Sequence, residues 1–419
     1  AVVPGFSRYA DDAAIPALRA LLVALAGHGV EVSVLALRHP PGPASYDLAG
    51  LPVWTLGGGT RAGPGRLVLL AQAIDAAVKL GQGADVIVGF WADEPGFVAV
   101  HAAARLGIRS HVALMGGELA DLAAIGYGGA GQAFGPACVD VALRRATRVS
   151  VGSRWLRDHG SRPGHGLGAA AAAVVASAAV LPLGLDVAAF AAAAAPWPRS
   201  ARGSIDLSPL DWSMHDGAIR IGSLGNLLTV KNHASLLRAV ARLRHAGANV
   251  VLELAGDGPE ASSLRALAVV LGVGHALVLC GAIPHALVPS WLATLDLHVL
   301  PSHWESQGMA SLEAAAVGVA VAGTHVGALA DFDAACFRVA AGDDGALLQA
   351  LAAVVERVRL APDALAVAGA AARDEVRQRY DLGAVAAGWQ RALYESGHHA
   401  RRQPCRRRRH RARDGGPGS

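Results

Sequence analysis

The chain has 419 residues, of which 53% are hydrophobic and 17% charged, too long for one compact domain and too apolar for disorder over most of its length. Its formal charge of +4 is misleading, because the segment 401–419 holds eight of the 37 basic residues and one of the 33 acidic ones, which leaves the rest at about −3. Four scattered cysteines (138, 280, 336 and 405) form no CxxC pair, which excludes a cysteine metal cluster and points to a reducing compartment.

In chain order, "AVVPGF" reads as the end of a first strand running into a glycine loop, and 15–26 has helical spacing. "VEVSVLAL" (30–37), "ADVIVGF" (84–90), "SHVALM" (110–115) and "TRVSVG" (147–152) read as strands, with helical patterns between them. Apolar strands alternating with helices predict a parallel, doubly wound sheet. The apolar run 168–185 is mostly alanine and is closed by Pro182 and Asp186, so it reads as part of a soluble fold. Nothing before Ala1 reads as a signal peptide, and a cytoplasmic location is expected.

Pro, Ala and Trp cluster at 181–198, and the polar "RSARGSIDLSPLDWSMHDG" follows; this is the expected connection between domains. A second alternation then begins. "AIRIGSL", "ANVVLELAG", "ALVLCG" and "LDLHVLP" read as strands, and 233–245, 259–271 and 285–294 as helices. The expected architecture is α/β, with two Rossmann-like doubly wound parallel-sheet domains facing across a cleft. The first spans 1–186 and is joined by a C-terminal helix at 377–398; the second spans 187–376. An Arg-rich tail at 399–419 is expected to be disordered, and could touch nucleic acid or anionic lipid.

The stretch "PSHWESQGMASLEAAAVGVAVAGT" (301–324) carries the clearest chemistry. A strand stops at Pro301 and a helix is expected over 308–317. Gln307 and Gly308 then sit at a helix N-terminus, whose free N–H groups and positive dipole end favour a phosphate. Gly308 lets backbone approach an anion closely. Glu305 lies before the helix and Glu313 inside it, and a carboxylate accepts two hydrogen bonds from a vicinal diol. Phosphate flanked by polyhydroxyl groups is the layout of a nucleotide-sugar. On spacing alone, a capping role for Glu305 and a surface position for Glu313 fit equally well.

"GSLGNLLTVKNHASLLRAVARL", "LAGDGPEASSLRALAVVLGV", the stretch above and "VGALADF" occur in that order, and over 219–332 they resemble the C-terminal domain of GT-B glycosyltransferases of the retaining family 4 type. The resemblance implies that Glu305, in a Glu-x7-Glu signature, holds donor-sugar hydroxyls, that Glu313 holds the ribose diol, and that Lys231 binds the diphosphate with backbone amides of Gln307, Gly308 and Met309. Glu305, Lys231 and Glu118 are the expected catalytic residues. Gly5, Ser223, Gly256 and Asp257 complete the expected donor contacts, although "AGDGPE" is also explained as a turn with Asp257 near an N-cap and Pro259 at the first helical position. The N-terminal half resembles the same family less closely, through "PGFSRYADDAAIPALRALLVALAGHG", "FWADEPGFVAVHAAARLG" and "LMGGELADLAAIGYG". There Asp93 and Glu94 either orient an acceptor hydroxyl or cap the helix that Pro95 opens, Glu118 follows a Gly pair that permits close approach, and Ser153 and Arg154 match a strand-end motif facing the cleft. Trp389 and Tyr394 read as packing anchors of the terminal helix.

Two positions depart from the family. Met115 stands where many relatives carry histidine, and Ser223 where many carry arginine; the loop before Lys231 is also about three residues long by comparison. The implied activity is retaining, metal-independent and cofactor-free transfer from a nucleoside-diphosphate sugar (UDP- or GDP-linked) to an acceptor sugar, lipid or small molecule, with peripheral membrane contact open and nucleic acid disfavoured. The departures leave a non-catalytic, nucleotide-binding relative as the alternative.

Overall fold

A computed structural model describes residues 1–9, 15–128, 135–162, 167–195 and 217–394. Most of the expected interdomain connection and the whole Arg-rich tail lie outside the described residues.

The first sheet has eight strands in the order β3-β4-β2-β1-β5-β6-β7-β8. They are β1 (Val2–Gly5), β2 (Val34–His39), β3 (Ala44–Leu48), β4 (Leu51–Thr55), β5 (Val86–Phe90), β6 (Arg109–Leu114), β7 (Arg148–Val151) and β8 (Ala179–Val180). All pair in parallel except β3 with β4. Helices α1 (Pro16–Gly27), α2 (Pro64–Leu80), α3 (Glu94–Leu106), α4 (Gly135–Arg145), α5 (Arg154–Gly160) and α6 (Ala169–Ala176) connect them. Successive residues of β2 serve opposite faces: Val34 and Ala36 pack with α1, while Leu35 and Leu37 pack with α2 and α3. Burial on both faces is why the central strands read as unbroken apolar runs.

The β3–β4 hairpin was not expected from the sequence. Its two-residue turn places both Ala49 and Gly50 at positive φ, 55° and 80°, the geometry of a type I′ turn.

A short helix, α7 (Val187–Ala192), precedes the second sheet, which is all parallel in the order β11-β10-β9-β12-β13-β14. Its strands are β9 (Ile219–Leu224), β10 (Val250–Ala255), β11 (Leu277–Gly281), β12 (Leu297–Leu300), β13 (Ala320–Thr324) and β14 (Arg338–Val339). The helices are α8 (His233–His245), α9 (Ala261–Val270), α10 (Val288–Leu292), α11 (Met309–Ala316), α12 (Gly327–Ala330), α13 (Asp344–Leu360), α14 (Ala364–Tyr380) and α15 (Leu382–Tyr394). α9 begins at Ala261, two residues later than expected, so Pro259 lies in the preceding turn and Asp257 is not its cap.

α15 returns to the first domain and packs on α1. Trp389 is fully buried there, 5.2 Å from the His111 ring and 5.6 Å from Phe90 between centroids, and donates to the Pro182 carbonyl at 2.9 Å. Tyr394, expected as a second anchor, is 46% exposed instead. Among the described residues no helix is long and apolar enough to cross a membrane.

Both sheets reverse their winding once, between β1 and β5 in the first and between β9 and β12 in the second. Loops leaving the carboxyl ends of strands at such points form the binding crevice of doubly wound sheets.

Candidate functional site

The loops after β9 and β12 bring Lys231 and Glu305 together, with Lys231 Nζ 2.6 Å from Glu305 Oε1. Ser302 Oγ donates to the same oxygen at 2.7 Å and is itself fully buried. Thr324 fixes this loop by donating to the Ser302 carbonyl at 2.6 Å, and the His303 amide ties it to the Lys231 loop through the Val230 carbonyl at 2.8 Å. Two loops distant in sequence are therefore held as one platform.

Gly308 caps α11 with φ 77°, a left-handed conformation that glycine adopts without steric cost. The first turn of α11 then presents amides that have no partner within the helix. Glu313 lies on α11, 8% exposed, with Oε1 3.5 Å from His285 Nε2. It is a buried acid and not a surface residue. Ser223, near the end of β9, is 1% exposed, and its hydroxyl has no partner among the described residues. Gly256 has φ 138°, and a Cβ there would meet the Gly225 carbonyl oxygen at 2.0 Å, so the two loops pack backbone to backbone. Asp257 is exposed and accepts from the Gly258 amide at 2.7 Å.

On the facing side, Gly5 is buried at the end of β1, where a Cβ would meet His39 Cβ at 2.9 Å. Glu118, expected as catalytic, is buried, and its carboxylate accepts from the amides of Ala92 (3.3 Å), Met115 (2.9 Å) and Gly116 (2.6 Å). It braces the turn after β6, and burial pushes its acid up while those amides oppose the shift. Glu94 is held by Arg38 at 2.7 and 2.6 Å and by Arg66 at 2.5 Å. Asp93 occupies the N-cap position of α3 but makes no capping bond, which corrects the capping expectation. Trp91 has φ 75°, a conformation that costs a bulky residue roughly 1–3 kcal/mol.

The two domains touch along this platform. Ser306 Oγ donates to the Met115 carbonyl at 2.5 Å, Trp304 Nε1 to the Gly116 carbonyl at 3.3 Å, and Ser153 Oγ to the Ser306 carbonyl at 2.8 Å. Arg154 meets Asp331 through its amide at 2.8 Å and its guanidinium at 3.6 Å. Gln307 is clamped to Leu183, so its side chain serves the interdomain seam and only its backbone remains for a ligand. Met309 packs against the cores of both domains. Sequence reasoning missed Ser302, Trp304 and Tyr127. Tyr127 is half-buried with its hydroxyl against Gly117, and burial, then Glu305 and Glu118, push it up to about 12. The charge of Glu305 thus reaches a residue of the other domain.

Comparison with known proteins fits this arrangement. Residues 14–178 match a family model described as Glycosyl transferase 4-like domain, and residues 218–357 one described as Glycosyl transferases group 1. A 2-deoxystreptamine glucosyltransferase from Streptomyces kanamyceticus is 31% identical over 116 residues, 28% of this chain and 30% of the relative. The match thus spans under a third of that protein's length. Sucrose-phosphate synthase from Thermosynechococcus elongatus superposes with a TM-score of 0.71 at 18% identity, covering 94% of this chain and 98% of that one. HepE of Anabaena, solved in complex with UDP and glucose, gives 0.66 at 16%, covering 94% and 99%. At these identities the structural likeness concerns the fold, two parallel-sheet domains of GT-B type.

Proposed function

We propose that this chain, which belongs to the group 1 glycosyl transferases, moves a sugar from a nucleoside-diphosphate sugar to an acceptor hydroxyl with retention of configuration and without a metal. The observation that carries the reading is the pairing of Lys231 with Glu305 beside the Gly308-capped start of α11, at the winding reversal of the second sheet. The helix start and Lys231 would take the diphosphate, neutralising charge as it collects on the leaving group. Glu305, freed from Lys231 when the diphosphate arrives, would accept from donor-sugar hydroxyls, and Glu313 from the ribose diol. An acceptor would enter from the first domain and attack from the leaving-group face, losing its proton to the departing phosphate. Such a route leaves no task for a histidine at the position of Met115. The binding of UDP and glucose by HepE supports a donor of this kind, and the name of the Streptomyces relative supports a small-molecule acceptor. Buried free thiols at Cys138 and Cys280 support a cytoplasmic location.

The test is donor turnover with Glu305→Gln. The variant should still bind UDP or GDP in a thermal-shift assay and lose sugar transfer by about two orders of magnitude or more; unchanged turnover would overturn the reading. The alternative, a nucleotide-binding relative without catalysis, is favoured by the enclosed Ser223 hydroxyl. It predicts nucleotide binding with neither transfer nor donor hydrolysis.

A further inference from the structure

Tyr127 is fixed by its own loop. Its backbone exchanges hydrogen bonds with Leu122, at 2.9 and 3.2 Å, around a turn closed by Gly126 at φ 64°. Gly128, at φ 124°, lies so close to the Ala120 carbonyl oxygen that a Cβ would meet it at 1.9 Å. At the far end of the ring, a Cβ at Gly117 would meet the hydroxyl oxygen at 2.6 Å. Three glycines thus make room for one phenol. The hydroxyl makes no hydrogen bond among the described residues, and it is not withdrawn from solvent. Phenylalanine would fill the same space, so the polar end calls for a partner from outside the fold.

Its surroundings indicate which. The ring packs against a buried cluster that includes Val230 and Trp304 of the second domain, the residues immediately before Lys231 and Glu305. Gly117, on which the hydroxyl rests, follows Gly116, whose carbonyl accepts from Trp304. The phenol therefore stands where the first domain meets the Lys231–Glu305 platform. Its neighbours there are engaged elsewhere: Ser153 with the Ser306 carbonyl, and Glu118 with three backbone amides. Met115 has no donor to offer. Burial, then Glu305 and Glu118, hold the phenol's ionisation up at about 12, so at neutral pH it is a donor. An uncharged donor in one domain and a carboxylate in the other suit a neutral polyhydroxyl ring between them, because a sugar hydroxyl both accepts and donates.

We propose that Tyr127 donates to a hydroxyl of the sugar being transferred, which Glu305 holds from the second domain, so that both domains grip that sugar and the first takes part in choosing it. The inference deepens the transferase reading above and rests on it. Calorimetry on the full chain would compare UDP-glucose, UDP-N-acetylglucosamine and GDP-mannose with UDP and GDP. For the nucleotide-sugar that the wild type binds most tightly, Tyr127→Phe should raise Kd about threefold to tenfold, as the loss of one neutral hydrogen bond does. Its Kd for the parent diphosphate and its melting temperature without ligand should match the wild type. A phenol that only packs would weaken both ligands together or neither, and either result would overturn the proposal while leaving the transferase reading in place. So would a wild type that binds a diphosphate but none of the three nucleotide-sugars. A wild type that binds none of these ligands would overturn the transferase reading and the proposal with it.

Discussion

Gln307 closes two hydrogen bonds on one residue of the other domain, accepting from the Leu183 amide at 2.7 Å and donating to its carbonyl at 2.6 Å. The side-chain amide imitates a strand partner, and it sits one residue before the glycine that starts α11. Whatever moves the turn that opens α11 therefore pulls on the first domain.

Gln307→Glu keeps the shape but can no longer donate to the Leu183 carbonyl. With the residue 4% exposed, the variant should lose about 1–3 kcal/mol, seen as a lower urea midpoint. Donor turnover should fall with it, since the loop is positioned through this contact.

Lys231→Ala removes the partner of Glu305 and the cation nearest the expected diphosphate. Donor KM should rise about tenfold to a hundredfold, while Lys231→Arg recovers part of the loss. An unchanged KM in steady-state kinetics would remove Lys231 from the donor site.

His298 and His233 are buried, and neither ring has all its nitrogens partnered among the described residues. Burial, with neighbouring positive charge, lowers them to about 3 and about 4 from 6.5. Their folded values are depressed, so the unfolded chain takes up protons that the folded one refuses. Stability is full above about pH 6.5 and falls as the pH drops toward about 4, at about 1.4 kcal/mol per pH unit for each ring. His298→Leu should flatten that limb of a melting-temperature profile.

Asp93 gives the opposite sign. Its folded value is raised from 3.8 to about 7, so its contribution to stability is present below about 3.8 and is lost as pH rises through about 7. Asp93→Asn should match the wild type in acid and melt higher at pH 8.

Trp389→Ala should cost about 3–5 kcal/mol by emptying a fully buried site. A denaturant midpoint shift of that size identifies α15 as part of the first domain's core.

The frame of the candidate site was legible because its signals are local: Glu305, Gly308 and Glu313 lie within nine residues, at a strand end and a helix start that the sequence marks plainly. The β3–β4 hairpin escaped because Ala49–Gly50 is a weaker turn signal than Asn-Gly or Asp-Gly. Asp93 looked like a cap because an acid before Glu-Pro usually is one; its side chain makes no capping bond in the fold, which spacing could not show. The clamp of Gln307 on Leu183 joins residues 124 apart, and no spacing rule reaches that far.

α15 has a consequence for how the molecule is made. The first domain borrows Trp389 from a helix that follows the whole second domain in the chain. During synthesis its sheet must wait, incompletely sealed, until the whole second domain has left the ribosome. Assembly of the two halves is thereby nested and not sequential, and the earlier half is the last to be finished.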